Sequence, residues 1–91
     1  MAEPSEPERC ICAAVRLDDG RVFYGHRHVD AMRAARSYGQ HGRVTARQQG
    51  FVTTAGRYVA RAEALMLQEM AGIPSARGGY AKGYLVSEDL Y

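Results

Sequence analysis

The stretch that most constrains the fold is residues 49–64, Gln-Gly-Phe-Val-Thr-Thr-Ala-Gly-Arg-Tyr-Val-Ala-Arg-Ala-Glu-Ala. It predicts a strand, a tight turn, a short return strand and the start of a helix. Gly56 stands where a three-residue hairpin loop needs positive φ. Phe51, Val52, Tyr58 and Val59 supply the aromatic and β-branched residues that suit paired strands. After Val59 the apolar period changes. Ala62, Leu65, Met66, Met70 and Ile73 fall near i, i+3, i+4 spacing, which predicts a helix with one apolar face. Arg57 then precedes this helix and Arg61 lies in its first turn. The macrodipole disfavours cations there. Either a carboxylate partner or a bound anion, which would also meet the free N–H groups, answers that cost.

The remaining elements follow the same signals. Residues 9–17 are mostly apolar, Asp18-Asp19-Gly20 is a turn, and residues 21–25 form the return strand of a first hairpin. Asp30 is the expected N-cap of a helix over residues 31–38, closed by Gly39, with Met32, Ala35 and Tyr38 as its buried stripe. Residues 40–49 read as a loop or weak edge strand. The second helix is expected over residues 60–71, stopped by Gly72 and Pro74. The glycines at 78, 79 and 83 mark a loop, residues 84–86 a last strand, and the Ser-Glu-Asp-Leu-Tyr end a docked tail with its acids facing the central arginines. The expectation is one α+β domain over residues 9–91, a small antiparallel sheet with two α-helices, preceded by a disordered acidic leader over residues 1–8.

Charge is informative through its distribution. Between Gly20 and Ala62 stand eight arginines and one acid, Asp30. Eleven Arg against one Lys suits phosphate, which the guanidinium fork meets in a bidentate way. A GC-rich genome also favours Arg over Lys, but it does not empty the middle of the chain of acids. No signal-peptide pattern and no apolar run of about 20 residues appears, so a cytoplasmic location is expected. Cys10, Cys12, His26 and His28 suggest a zinc site, but both spacings are one residue short of the usual ligand pairs, and a core role suits the cysteines better. No cofactor is expected. No nucleophile elbow, spaced carboxylate pair or metalloprotease motif is present, so the reading is of a binding protein and not an enzyme. Arg57 and Arg61 are candidates for a pyrophosphate, and Phe51, Tyr58 or Tyr80 for stacking on a base. Pockets for such ligands run to roughly 300–1,000 Å³. A domain this small buries only roughly 60–65% of its unfolded surface, so a pocket between subunits is expected.

Four segments occur in order: Gly-His-Arg-His-x-Asp at 25–30, Gln-Gly-Phe-x-Thr at 49–53, Gly-Arg-Tyr-Val-x-Arg-x-Glu-Ala at 56–64 and Ser-Glu-Asp-Leu-Tyr at 87–91. Together they resemble the phage-encoded Thoeris anti-defence sponges, over about residues 11–91. Those proteins sequester the glycocyclic ADP-ribose signals made by bacterial Toll/interleukin-receptor-domain enzymes. The resemblance implies an antiparallel sheet with two helices and a homodimer with ligand pockets at subunit interfaces. In some members it implies hexamers that also hold cyclic di- or trinucleotides at separate sites. It carries the phosphate role to Arg57 and Arg61, and the motifs add Arg27, His28, Phe51, Tyr58 and Asp89 to the candidate ligand set. The pattern often has Cys where this chain has Ala31, and an acidic or hydroxyl residue where it has Ala60. The rival reading is a small Arg-rich phage nucleic-acid-binding protein.

Overall fold

The computed structural model describes residues 7–39 and 42–91. Strands β1 (Cys10–Arg16) and β2 (Val22–Gly25) form the first hairpin and lead into helix α1 (His28–Ser37). Strands β3 (Gln49–Thr53) and β4 (Tyr58–Ala60) form the second and lead into helix α2 (Arg61–Met70). All pairings are antiparallel, in the order β2-β1-β3-β4. The expected α+β fold is therefore the observed one, and it is two hairpin-helix units joined along β1 and β3. Gly20 and Gly56 both take positive φ, at 93° and 78°, in the two hairpin turns.

The register fixes what each sheet face carries. Ala13 lies opposite Phe51, and Phe51 opposite Val59, so these residues share a face with Val15. Val15 packs with Ala31 and Ala35 of α1, while Phe51 and Val59 pack with Ala64 and Leu65 of α2. Both helices thus lie on one face, in a slab of 40 × 36 × 18 Å. The opposite face carries Cys12, Ala14, Arg16, Val22, Tyr24, Gly50, Val52 and Tyr58. No helix covers it among the described residues, and Tyr24 is 66% exposed.

Several expectations are corrected. Helix α1 begins at His28, so Asp30 is its third residue and not its N-cap. The Asp30 carboxylate still serves the helix start, accepting the Arg27 N–H at 3.0 Å. The buried stripe is Ala31 and Ala35, with Met32 at its margin and Tyr38 exposed beyond the last turn. Helix α2 is rotated likewise: Ala64, Leu65 and Gln68 are buried, and Ala62, Met66 and Met70 face solvent. Strand β1 has a β-bulge between Cys10 and Cys12, and the Cys10 N–H at its start is buried beside α2. Gln68 Oε1 accepts that N–H at 2.8 Å, which draws the Gln68 side of α2 onto the sheet. Residues 84–86 form no strand. They approach α2 through Leu85, whose N–H donates to the Arg61 carbonyl at 3.1 Å, and a short 3-10 turn follows at Ser87–Asp89.

Part of the loop expected at 40–49 lies outside the described residues, and its remainder holds a 3-10 turn at Ala46–Gln48. The leader falls mostly outside them too, but Glu8 is described and is bound by Arg57. Among the described residues no helix is long and apolar enough to cross a membrane.

Candidate functional site

The junction of β4 and α2 places the two arginines singled out by sequence on different partners. Arg57 grips Glu8 with two bonds, Nε to Oε2 at 2.8 Å and Nη2 to Oε1 at 2.9 Å, and gives a third to Glu63 at 3.2 Å. The Thr53 hydroxyl donates to the same Glu8 carboxylate. These bonds hold the Glu8 carboxyl below the usual carboxylate range. Arg57 therefore clasps the chain before β1 to the second hairpin, and its fork is filled by a carboxylate where the sequence suggested a phosphate.

Arg61 is differently placed. It is the first residue of α2, and its guanidinium lies 4.3 Å from the centre of the Tyr84 ring. It has no carboxylate partner among the described residues. Ala60 precedes it and offers no capping side chain, so no side chain caps the first-turn N–H groups. His28 and Tyr58 sit close enough to feel its charge. The His28 Nε2 lies 2.8 Å from the Gly50 carbonyl. A carbonyl only accepts, so Nε2 carries the proton. Burial pushes the His28 pKa down, the bond to Gly50 opposes this, and Arg61 adds to the lowering. At neutral pH the ring is neutral, and Nδ1 is an acceptor. The ring makes a T-shaped contact with Phe51 at 5.1 Å between ring centres. The Tyr58 hydroxyl donates to the Gln48 carbonyl at 3.1 Å, and Arg16 lies 5.0 Å from the ring centre. The junction is thus a positive neighbourhood of Arg61 with the rings of Tyr84, Tyr58 and His28.

Three candidates are engaged elsewhere. Phe51 is fully buried, so its expected stacking role is corrected: both ring faces belong to the core, and Tyr84, about half exposed, offers the ring surface instead. Arg27 donates to the backbone oxygens of Ser87 and Tyr91, at 2.7 and 2.6 Å, and lies 4.9 Å from the centre of the Tyr91 ring. Asp89 is 2% exposed and accepts from the Ser75 hydroxyl, Arg77 and the Val86 N–H. The tail is docked, but its buried acid meets Arg77 in the preceding loop, not the central arginines. Tyr84 and Arg16 lay outside the sequence-derived set. The signal for Tyr84 was a ring in a glycine-rich loop, beyond the reach of a strand's pairing.

The pH dependence of stability follows from two of these groups. Burial pushes the Asp89 carboxyl up, but the Ser75, Val86 and Arg77 bonds outweigh it and leave it lowered. His28 is also lowered. For both, the unfolded chain binds protons more readily, so stability falls on acidification. The His28 contribution is lost first, as pH falls below about 6.5, and the Asp89 contribution below about 4. Asp89→Ala is expected to cost about 2 kcal/mol, since it leaves the Val86 N–H and the Ser75 hydroxyl without their buried acceptor, while the mostly exposed Arg77 turns to water. It should also flatten the acid limb of a melting-temperature profile below about pH 4. An unchanged limb would assign that limb to other groups.

The cysteines take no metal geometry. Cys10 lies in the core, and burial pushes its thiol up to about 12. His26 stacks on Tyr91 at 4.1 Å. No metal-binding cluster of His, Cys, Asp and Glu occurs among the described residues.

A family model described as Phage T4 y16D protein matches residues 9–91. The chain belongs to the phage T4 y16D protein family. No curated protein and no solved structure matches it. The match covers the whole of this y16D-family fold, from β1 to the docked tail, and leaves out Glu8, the partner of Arg57.

Proposed function

We propose that this protein binds and sequesters cyclic nucleotide immune signals, glycocyclic ADP-ribose foremost, without degrading them, and so blocks Thoeris immunity. The Thoeris assignment itself rests on the sequence resemblance. Cyclic oligonucleotides of the related CBASS pathway are a second ligand class that the resemblance includes. The observation that carries the binding reading is Arg61 at the uncapped start of α2, stacked on Tyr84 and free of any carboxylate among the described residues. A pyrophosphate would meet the guanidinium fork and the first-turn N–H groups, and a base would find the Tyr84 ring. The His28 Nδ1 would accept from a ribose hydroxyl. This arrangement is half a pocket, and the sheet's uncovered face, with Tyr24, suits a second copy that supplies the other half. The working unit is therefore a homo-oligomer, a dimer or a hexamer built from dimers, and light scattering behind a sizing column reads its mass.

Sequestration predicts that ligand comes back intact. A sponge must outcompete the signal's receptor, which asks for nanomolar affinity, about −12 kcal/mol. Tight ground-state binding opposes turnover, because catalysis needs the transition state held better than the substrate. Protein mixed with glycocyclic ADP-ribose and then heated is expected to release the unaltered molecule, one per pocket, active again on a signal-dependent effector. Hydrolysed product accumulating at substoichiometric protein would make this an enzyme. Tighter binding to RNA or DNA, falling steeply with salt, would make it a nucleic-acid binder.

A further inference from the structure

A polar groove of about 700 Å³ opens where the β1–β2 turn meets the 3-10 turn before β3. Arg16, Asp18, Gly20, Thr45, Arg47 and Gln48 line it. None of these belongs to the ligand set derived from sequence. Its volume lies within the range of small-molecule sites, roughly 300–1,000 Å³.

The wall is held by its own bonds. Gln48 Oε1 accepts from the Thr45 N–H at 2.9 Å and from the Thr45 hydroxyl at 3.3 Å. Gln48 Nε2 donates to Asp18 Oδ1 at 3.2 Å, which ties the two turns together across the groove. The Gln48 carbonyl holds the Tyr58 hydroxyl, and the Tyr58 ring supports the Arg16 guanidinium. Neither Arg16 nor Arg47 has a carboxylate partner among the described residues. Asp18 makes its bond to Gln48 through one oxygen and keeps the other as an acceptor.

Two unneutralised guanidiniums call for an anion, and a carboxylate beside them calls for a donor such as a hydroxyl. We propose that this groove binds a phosphomonoester carried on a sugar, with Arg16 and Arg47 on the phosphate and Asp18 on the sugar hydroxyls. A polyanionic strand fits less well. Asp18 and its neighbour Asp19 would face its backbone, and Asp19 already holds Arg21 at 2.8 Å.

The test is a titration of the 15N-labelled protein followed by amide shifts. Ribose 5-phosphate is expected to move the amides of Gly20, Thr45 and Gln48 saturably, with a Kd of about 1 mM or lower, and free ribose to move none. Arg47→Glu should weaken the response at least about tenfold. Arg47→Gln is the milder variant, and the rest of the spectrum reports that each is folded. Adenosine 5′-monophosphate binding through the same amides supports the site whether it is tighter or weaker, and its order tells whether a base adds a contact. Arg61→Ala should leave these shifts unchanged, which separates this groove from the β4–α2 junction. Absence of saturation, an equal response to free ribose, or a short RNA saturating the same amides at about a hundredfold lower concentration would overturn the proposal.

Discussion

Replacing Gly50 by alanine is expected to lower the melting temperature by about 12–24 °C. A Cβ at Gly50 would stand 2.2 Å from the Val59 carbonyl oxygen and 2.6 Å from the end of the Tyr58 ring. The ring tip can swing aside, but the carbonyl belongs to the backbone of β4, which pairs with this strand. Gly50 also lies opposite Ala14 on its other side, and its carbonyl holds His28. A shift therefore disturbs three strands and the start of α1. Overpacking of this kind costs about 3 kcal/mol, and each kcal/mol moves the midpoint of a domain this size by about 4–8 °C. Gly39→Ala is the control: its Cβ meets nothing, and only the φ of 102° is strained, which costs about 1 kcal/mol. Calorimetry that finds the two variants melting together would remove Gly50 from this role.

Arg61→Ala is expected to weaken glycocyclic ADP-ribose binding at least about a hundredfold while leaving the fold intact. A charged hydrogen bond to phosphate contributes about 1.5–3 kcal/mol, and the fork makes two. Lysine should not rescue, because its point charge cannot copy the fork or lie flat on Tyr84. Tyr84→Ala should weaken binding in the same direction through lost stacking, by about 1–3 kcal/mol. Arg57→Ala should act differently. It releases Glu8 and Glu63, so the amide shifts of the chain before β1 change while ligand affinity stays near the parent's. Titration calorimetry on the four variants reads the affinities, and amide spectra of the same proteins read the fold and the shifts before β1. If Arg57→Ala abolishes binding and Arg61→Ala does not, the two arginines exchange roles, and Glu8 becomes a stand-in for the ligand's anion.

Much of the fold was readable because it rests on local chemistry. Gly20 and Gly56 announce the two turns, and the period change after Val59 announces α2. What failed was rotation about helix axes. Of the stripe expected on α2, Leu65 is buried but Ala62, Met66 and Met70 are exposed, and the face against the sheet includes a glutamine, Gln68, that meets a buried backbone N–H beside the bulge at Cys10. No periodicity contains a bulge fifty-odd residues away. The site was half readable for a similar reason. The paired arginines at 57 and 61 were visible, but Glu8, which fills one of them, and Tyr84, which carries the other, are brought in only by tertiary structure. Phe51 shows the opposite error, an aromatic in a promising motif that the core claims for itself.

The seam between β1 and β3 has a consequence for how the chain reaches this structure. Each hairpin closes over a loop of a few residues, and each helix follows its hairpin directly. The seam instead joins Ala14 to Gly50, so it bears the loop-closure entropy that nothing local repays. The two halves are expected to flicker into shape early and to become committed only when β1 and β3 zip together. Folding-rate measurements should then give high φ-values for Ala13, Ala14 and Phe51 and low ones for Leu90 in the tail. On this view the tail, pinned by Arg27 and Asp89 at the end of the process, sets how slowly the finished protein comes apart rather than how quickly it forms.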